Sequence, residues 1–169
     1  MTTFVALAAV CAPLVHASTA QAIASTESTL NPHAIGVVGA QLERQPRSLP
    51  EALATAEALG SQGRNFSIGL TQINVHNLER LGMSIADGFD GCKNLQAMQV
   101  VLSECFERAS PKDGSQASLR RALSCYYSGN FTTGFQHGYV GRVVSNAHKT
   151  ARAPPWATAR SSLPSHPSM

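Results

Sequence analysis

The stretch Thr26-Glu27-Ser28-Thr29-Leu30-Asn31-Pro32 carries Glu27, the only formally charged side chain among residues 1–42. The alanine-rich run before it predicts a helix, and the Asn-Pro pair predicts where that helix ends. A carboxyl group at the end of an apolar helix is poorly hydrated, which raises its pKa because the charged form loses more hydration than the neutral form. Such a glutamic acid stays protonated near neutral pH and can act as a general acid. The competing interpretation is a solvated glutamate at a helix end.

The composition predicts a single folded domain without a nucleic-acid partner. A chain of 169 residues is long enough to bury one hydrophobic core, and 43% hydrophobic residues is usual for a globular protein. No apolar run is long enough to span a bilayer. Lys149, Arg152 and Arg160 account for the net charge of +3, because the other ten basic residues balance the ten acidic ones. The domain therefore lacks the basic stripe that nucleic-acid binding requires.

Four widely spaced cysteines indicate disulfides rather than a metal site. Cys11, Cys92, Cys105 and Cys125 form no C-x-x-C pair, and none of the six histidines has ligand spacing, so we expect no zinc or other metal. Two disulfides in an oxidising compartment such as the periplasm fit this pattern, and four buried thiols in a cytosolic protein are the alternative. Three pairings are open, of which Cys105–Cys125 forms most easily if both residues lie on adjacent antiparallel helices.

The N-terminal segment, residues 1–22, has only part of the pattern of a secretory signal. It is apolar and alanine-rich, but no basic residue precedes the apolar run and Pro13 divides it. Ser18 and Gln21 have the spacing of a capping box that would start the helix carrying Glu27. Because cleavage after Ala20 or Ala22 would remove that start, we interpret the segment as part of the folded domain, which leaves the export route unexplained.

Helical periodicity covers most of the remaining chain. Ala34–Gly39 is the exception, since its β-branched residues between glycines predict a short extended piece or hairpin arm. A second capping box, Ser48 with Glu51, opens a helix that ends at Gly60. The further predicted helices are about Val75–Leu81, Asn94–Ala109, Ala117 to a C-cap at Gly129, and His137–His148, with a loop through Asp90-Gly91 and a turn over residues 110–115.

These elements predict a mainly α fold. Residues 1–148 would form a helical domain with a small extended or hairpin region. Residues 149–169 are rich in proline and serine and predict a disordered tail.

Two further stretches carry polar groups suited to a sugar. Within residues 65–74, Gly69 permits a close approach that a side chain would block, and Gln72 offers both a donor and an acceptor. On the helix before Gly129, Tyr126 lies on the inward face, where its hydroxyl could bind a carboxyl group. Each signal is weak alone, because surface glutamines and core tyrosines are the commoner cases.

Taken together and in this order, three motifs resemble those of the lytic transglycosylases of the SLT domain family, which have a goose-type-lysozyme-like fold. The motifs are Glu27-Ser28 with Asn31-Pro32, Ser67-Ile68-Gly69-Leu70-Thr71-Gln72, and Tyr126-Tyr127-Ser128-Gly129. Three longer phrases are similar to the VirB1-like branch, which serves type IV secretion and conjugation: Ala34-Ile35-Gly36-Val37, Arg64-Asn65-Phe66-Ser67 and Cys125 to Phe131. The resemblance covers about residues 4–148 and implies an α+β lysozyme-like fold. Tyr127 departs from the asparagine that the family commonly has there, a departure that the VirB1-like branch shares, so the resemblance leaves the role of Tyr127 open.

The resemblance implies a mechanism with a single glutamate. Glu27 would protonate the oxygen that links N-acetylmuramic acid to N-acetylglucosamine in peptidoglycan, and would then take the proton of the muramyl C6 hydroxyl as a 1,6-anhydro ring closes. The substrate's acetamido group would stabilise the oxocarbenium-like centre, and no cofactor would be needed. Ser28 and Gln72 would orient the sugar, and the Tyr126 hydroxyl would hold Glu27. Cleavage in the periplasm would open the wall for a secretion or conjugation apparatus, whose components are the expected protein partners.

Two other functions stay open on the sequence. A hydrolysing lysozyme would need a second carboxylate, for which Glu43 and Glu57 are the candidates. A non-catalytic peptidoglycan-binding or scaffold component of a secretion machine is the other. Such a binding protein would be free to lose Glu27, so the presence of Glu27 favours an enzyme.

Overall fold

The structure is a computed structural model that describes residues 3–109 and 115–152. Within these residues, most of the elements are helices, packed beside a small antiparallel sheet, and this architecture confirms the predicted mainly α fold class. The elements are α1 (Phe4–Cys11), α2 (Ala17–Ser28), β1 (Ile35–Val37), α3 (Leu49–Ser61), β2 (Phe66–Ile68), β3 (Ile73–Asn74), α4 (Val75–Arg80), α5 (Ile85–Phe89), α6 (Gly91–Arg108), α7 (Ser115–Ser128), α8 (Thr133–Gln136) and α9 (Tyr139–Arg152).

The three-stranded sheet confirms the extended region predicted at Ala34–Gly39. Strand β1 pairs antiparallel with β2, where Ile35 lies opposite Ile68, and β2 pairs antiparallel with β3, where Ile68 lies opposite Ile73. These three isoleucines are at most 2% exposed, so their side chains join the core. Gln45 covers the outer edge of β1, because its side chain accepts from Ile35 N at 2.8 Å and donates to Ile35 O at 2.9 Å. The glutamine amide thus satisfies backbone groups that an edge strand leaves open.

Small side chains let the helix that carries Glu27 pack closely. Helix α2 lies against α9 and α1, and it buries Ala20, Ala22, Ile23 and Ala24 completely. Alanines at a helix contact allow the two backbones to approach closely. The second main contact joins α6 to α7, and the buried apolar side chains of α6 are Leu95, Ala97, Met98, Val101, Leu102 and Cys105.

Two disulfides hold the helices together. Cys105 pairs with Cys125 and joins α6 to α7, as the sequence favoured, and Cys11 pairs with Cys92 and joins α1 to α6. Helix α1 is thereby part of the packed structure, with Ala8 fully buried.

Removing the Cys105–Cys125 disulfide should destabilise the domain. The bond closes a loop with a sequence separation of 20 residues, and the loss of that constraint on the unfolded chain costs about 3 kcal/mol. We expect the double substitution Cys105→Ala with Cys125→Ala to lower the free energy of unfolding by that amount in urea denaturation without reductant. Reductant added to the wild type should cause a larger loss, because it also opens Cys11–Cys92. An unchanged urea midpoint in the double variant would contradict the prediction.

Several helix ends differ from the predicted ones because of local caps. His16, not Ser18, is the N-cap of α2, since its Nδ1 accepts from Ser18 N at 3.3 Å. Helix α6 begins at Gly91 rather than Asn94, because Asp90 Oδ1 accepts from Lys93 N at 2.8 Å. The loop predicted before it contains helix α5, which a capping box of Ser84 and Asp87 starts.

The remaining differences concern α3 and the C-terminal part. Ser48 caps α3 as predicted, but the Glu51 carboxylate accepts from Arg47 N at 2.8 Å instead of closing the box, and the helix continues past Gly60 to Ser61. Helix α9 runs to Arg152, so residues 149–152 are helical and the predicted tail boundary at 148 is wrong for them. Residues 110–114 of the predicted turn and residues 153–169 of the predicted tail lie outside the described residues.

Candidate active site

A cavity of about 310 Å³ lies where the end of α2 meets the sheet and α7. It brings together three of the four predicted site residues, namely Glu27, Gln72 and Tyr126. Ser28, the fourth, does not line it. A larger groove of about 880 Å³ continues from the cavity and shares part of its wall. The complete lining of the smaller cavity is Glu27, Gly36, Val37, Val38, Ser67, Gln72, Ile73, Asn74, Asn77, Val101, Tyr126 and Tyr127.

The backbone after Glu27 ends α2 abruptly and leaves the carboxyl group at the cavity. Glu27 is the penultimate residue of α2, and the next residues after the helix, Thr29 and Leu30, have left-handed φ values of 55° and 63°. Both of their N–H groups donate to Ala24 O, which closes the last turn. Two consecutive residues other than glycine in this conformation are strained, and strain of this kind is frequent at functional sites.

Burial prepares Glu27 to donate a proton. The loss of water around the partly buried side chain raises the pKa of Glu27 from 4.5 to about 7, and this effect exceeds the opposing ones of the Tyr139 hydrogen bond and the Arg142 charge. Near neutral pH a large fraction of the protein molecules therefore has Glu27 protonated, which is the state that a general acid needs. Of the two interpretations of Glu27 from the sequence, this burial supports the poorly hydrated acid rather than the solvated glutamate at a helix end.

Tyr139, not Tyr126, holds the Glu27 carboxyl group. The Tyr139 hydroxyl donates to Glu27 Oε1 at 2.6 Å, whereas the Tyr126 hydroxyl donates to the backbone carbonyl of Thr71 at 2.7 Å. The prediction that Tyr126 binds Glu27 through its hydroxyl is wrong in this respect, although its side chain lines the cavity. The physical reason is the packing of α9 along α2, which sets the first residue of α9 beside the last turn of α2. Tyr139 precedes Val140 and Val143, two apolar residues on the predicted inner face of the last helix. This pattern could have indicated an inward-facing tyrosine, but the motif comparison did not include it.

Substitution of the two tyrosines separates their roles. Tyr139→Phe removes a hydrogen bond that lowers the Glu27 pKa, so we expect this pKa to rise above about 7. If Glu27 acts as the acid of the glycan cleavage that the resemblance implies, the alkaline limb of that activity should move to higher pH. The maximal rate should fall roughly tenfold, as for the loss of one hydrogen bond to a charged group. Tyr126→Phe is the matched control and should leave the limb in place. A pH–rate profile of both variants checks this, and a shift in Tyr126→Phe alone would contradict the assignment.

The loop from Gly69 to Gln72 presents an acceptor to the cavity. Gln72 has a left-handed φ of 50°, and its Nε2 donates to Ala34 O at 3.0 Å and to Gly69 O at 3.1 Å. Both amide hydrogens are thereby used, and Oε1 lies at the cavity wall beside Gly36. The approach is close: a Cβ added at Gly36 would lie only 2.7 Å from Gln72 Oε1. Gln72 Oε1 is consequently available to accept a hydrogen bond from a hydroxyl or acetamido N–H of a ligand.

Ser28 joins the end of α2 to this loop. Its hydroxyl lies 2.7 Å from Leu70 O and 3.1 Å from Ala24 O. Both contacts are to backbone carbonyls, so the serine positions the helix end that carries Glu27. Any influence of Ser28 on a bound sugar would act through that placement.

Asn94, which sequence reasoning missed as a functional residue, shapes the loop from behind. The side chain is fully buried. Its Oδ1 accepts from Thr71 N at 2.9 Å and from Thr71 Oγ1 at 2.6 Å, and its Nδ2 donates to Ile68 O at 3.1 Å and to Gly88 O at 2.8 Å. Gly69 has a φ of +81°, and a Cβ there would clash with Asn94 Nδ2 and Gly88 O. An asparagine next to Leu95 in the apolar stripe of α6 is the signal that could have found it.

The cavity contains a single acid among the residues that line it, Glu27. Glu43 and Glu57, the predicted candidates for a second carboxylate, are exposed and lie outside the lining. In residues 3–109 and 115–152, no group of three or more His, Cys, Asp or Glu side chains is arranged to hold a metal ion. No helix in the same part of the chain has the length and apolar character to cross a membrane.

Known proteins are similar to this chain over most of its length. The transglycosylase SLT domain family matches residues 4–148. The type IV secretion system protein virB1 of Brucella suis biovar 1 is 46% identical over 159 residues, which are 90% of this chain and 67% of the Brucella protein. Protein virB1 of Agrobacterium fabrum is 35% identical over 143 residues, 82% of this chain and 57% of that protein. No solved structure gives a significant match. The family match and the Brucella relative together show that the chain belongs to the transglycosylase SLT domain family, as a VirB1-like member.

Proposed function

We propose that this protein is a peptidoglycan lytic transglycosylase that cleaves the β-1,4 bond between N-acetylmuramic acid and N-acetylglucosamine and forms 1,6-anhydromuramic acid. The observation that carries the proposal is Glu27: one carboxyl group in the cavity lining, with a pKa of about 7. A single group whose pKa lies near the working pH can serve first as an acid and then as a base. Membership of the SLT family supplies the substrate class.

In the first step, protonated Glu27 donates its proton to the glycosidic oxygen, and the bond from that oxygen to the muramyl C1 breaks. The substrate's own acetamido oxygen stabilises the positive charge that develops at C1, so no second protein carboxylate is needed. Glu27 is now a carboxylate, and it is stabilised by the Tyr139 hydroxyl at 2.6 Å and by the charge of Arg142.

In the second step, the Glu27 carboxylate takes the proton of the muramyl C6 hydroxyl, and the C6 oxygen bonds to C1. The ring closes, Glu27 is protonated again, and no water is consumed. Gln72 Oε1 would accept from a sugar hydroxyl or N–H, and the Tyr126 side chain would form part of the sugar-binding wall, since both line the cavity with Glu27. Ser28 would contribute by holding the helix end on the loop.

A hydrolysing lysozyme is the second candidate reaction, in which an activated water replaces the C6 hydroxyl. It is less favoured because neither Glu43 nor Glu57 reaches the cavity lining. The larger groove has two acids in its lining: Glu104, which pairs with Arg80 at 2.9 Å, and Glu107. Neither belongs to the lining of the cavity that contains Glu27.

The printed names of the relatives extend the proposal to a cellular role. The Brucella relative is a type IV secretion system protein. We therefore propose that this chain acts on peptidoglycan in the periplasm, and that it opens the wall locally for a secretion or conjugation apparatus. Two disulfides are consistent with an oxidising compartment.

Mass spectrometry of purified peptidoglycan digested by the wild type and by Glu27→Gln tests the reaction. We expect products ending in 1,6-anhydromuramic acid with the wild type and none with the variant. Reducing-end products would move the assignment to the hydrolase. No products from the wild type, together with retained binding to peptidoglycan sacculi, would indicate a binding component and overturn the proposal for the isolated chain.

A further inference from the structure

Tyr127 lies between the cavity and Tyr139, the residue that donates to Glu27. Its ring stacks on the Tyr139 ring with centroids 4.6 Å apart and planes 17° from parallel. Its hydroxyl is 3.2 Å from His137 Nδ1, and the two rings meet edge to face at 5.9 Å. Tyr127 is 39% exposed and lines the cavity, whereas Tyr139 is only 2% exposed. One face of Tyr127 thus covers Tyr139, and the rest of the side chain is open to the cavity.

We propose that Tyr127 is a positioning residue, which holds Tyr139 against Glu27 and limits the access of water from the cavity to their hydrogen bond. The inference concerns the acid of the proposed reaction and rests on that proposed function. The stacked ring restricts Tyr139 to one orientation, and the contact with His137 restricts Tyr127 itself. A residue that this chain has in place of the asparagine common in the family would thereby support the catalytic acid without contacting it.

The expected consequence of removing the ring depends on two opposing effects on Glu27. Water that enters would favour the carboxylate and lower the Glu27 pKa, while loss of a well-placed Tyr139 hydroxyl would raise it. Burial is the largest influence on this pKa, so the entry of water should dominate. The other charged or titratable side chains near Glu27 are Arg142 from α9, whose charge lowers the pKa of Glu27, and Tyr126 from α7, whose own pKa is raised by burial and by the Glu27 charge. Neither side chain is changed by the substitution.

The test is a direct titration of the Glu27 carboxyl group by carbon-13 NMR, in protein labelled at glutamate. The Glu27 signal is assigned as the one that disappears in Glu27→Gln. We expect Tyr127→Ala to weaken proton binding by Glu27 about tenfold or more, which is about 1 pKa unit. Tyr127→Phe should titrate like the wild type, because it keeps the stacked ring and loses only the contact with His137.

Matched variants keep the result interpretable. Phe135→Ala removes another exposed aromatic ring, 46% exposed and outside the cavity lining, and should leave the titration unchanged. If Tyr127→Ala does not fold, Tyr127→Ser also removes the ring and admits water, and it should give the same direction of change. Folding of each variant is checked by its amide spectrum.

The outcomes separate this inference from the proposed function. The titration needs no substrate, so it is valid even if no anhydro products form. A Glu27 carboxyl that titrates near pH 7 equally in the wild type and in folded Tyr127→Ala or Tyr127→Ser would overturn the positioning role alone. Titration of wild-type Glu27 near its ordinary value would remove the basis for the acid itself. A shift of the alkaline limb of cleavage to lower pH in Tyr127→Ala, but not in Tyr127→Phe, would support both the positioning role and the proposed function.

Discussion

Glutamine in place of Glu27 should stop glycan cleavage and, above pH 7, should make the folded protein more stable than the wild type. The cleavage rate should fall by roughly 10²–10⁴-fold, which is the contribution of a positioned general acid. The gain in stability follows from the cost of burying a carboxylate. The neutral amide of glutamine avoids that cost at every pH and can still accept from the Tyr139 hydroxyl.

The pH dependence of this gain has a definite sign. Burial raises the pKa of Glu27 from 4.5 to about 7, so the folded state binds the Glu27 proton more tightly than the unfolded state. Stability linked to that proton is fully present below about pH 4.5 and is lost as the pH rises through about 7. The total loss is about 3 kcal/mol, from a pKa difference of about 2.5. The variant should therefore match the wild type near pH 4.5 and exceed it by about 3 kcal/mol at pH 8.

Urea denaturation at both pH values, combined with a cleavage assay, measures this. Glu43→Gln is the matched control, because Glu43 is exposed and outside the cavity; it should retain cleavage and show no such gain. Cleavage retained in Glu27→Gln would contradict the catalytic role. A parallel loss of stability and activity in the variant would point instead to a structural role for Glu27.

Replacing Asn94 by alanine is the second substitution with a large expected effect, here on folding. The variant leaves Thr71 N, Thr71 Oγ1, Ile68 O and Gly88 O without the partner that each has in the wild type. Buried polar groups that lose their partners cost about 1–3 kcal/mol each, and partial hydration relieves some of that. We expect the free energy of unfolding to fall by about 4 kcal/mol.

Cleavage by the remaining folded Asn94→Ala protein should also fall, because the loop that carries Gln72 and accepts from Ser28 and Tyr126 loses its support. Gln96→Ala is the matched control: it truncates an exposed amide side chain on the same helix and should change stability by less than about 0.5 kcal/mol. Urea denaturation of the two variants measures the difference. A stability of Asn94→Ala within about 1 kcal/mol of the wild type would show that water replaces the lost hydrogen bonds.

The features that could be recognised from the sequence have local causes. Glu27 is recognisable because it is the sole charge after an apolar, alanine-rich helix, and the helix depends on residues adjacent in the chain. The extended piece at β1 depends on its own β-branched residues. Cys105 and Cys125 follow from helical periodicity on two consecutive helices, and their pairing needs only that those helices pack together.

The tertiary structure decided the partners of the acid. Tyr139 and Glu27 are 112 residues apart in sequence, and their contact exists because α9 packs along α2. No local pattern distinguishes Tyr139 from Tyr126, since both are tyrosines on inward faces of helices near the C-terminal end of the domain. The loop shape is likewise a tertiary result: Asn94 satisfies Thr71 across 23 positions of sequence. Residue chemistry and periodicity thus singled out the carboxyl group that we propose as the acid, whereas long-range packing determined which hydroxyl binds it and which amide supports the loop beside it, because hydrogen-bond partners are set by proximity in space.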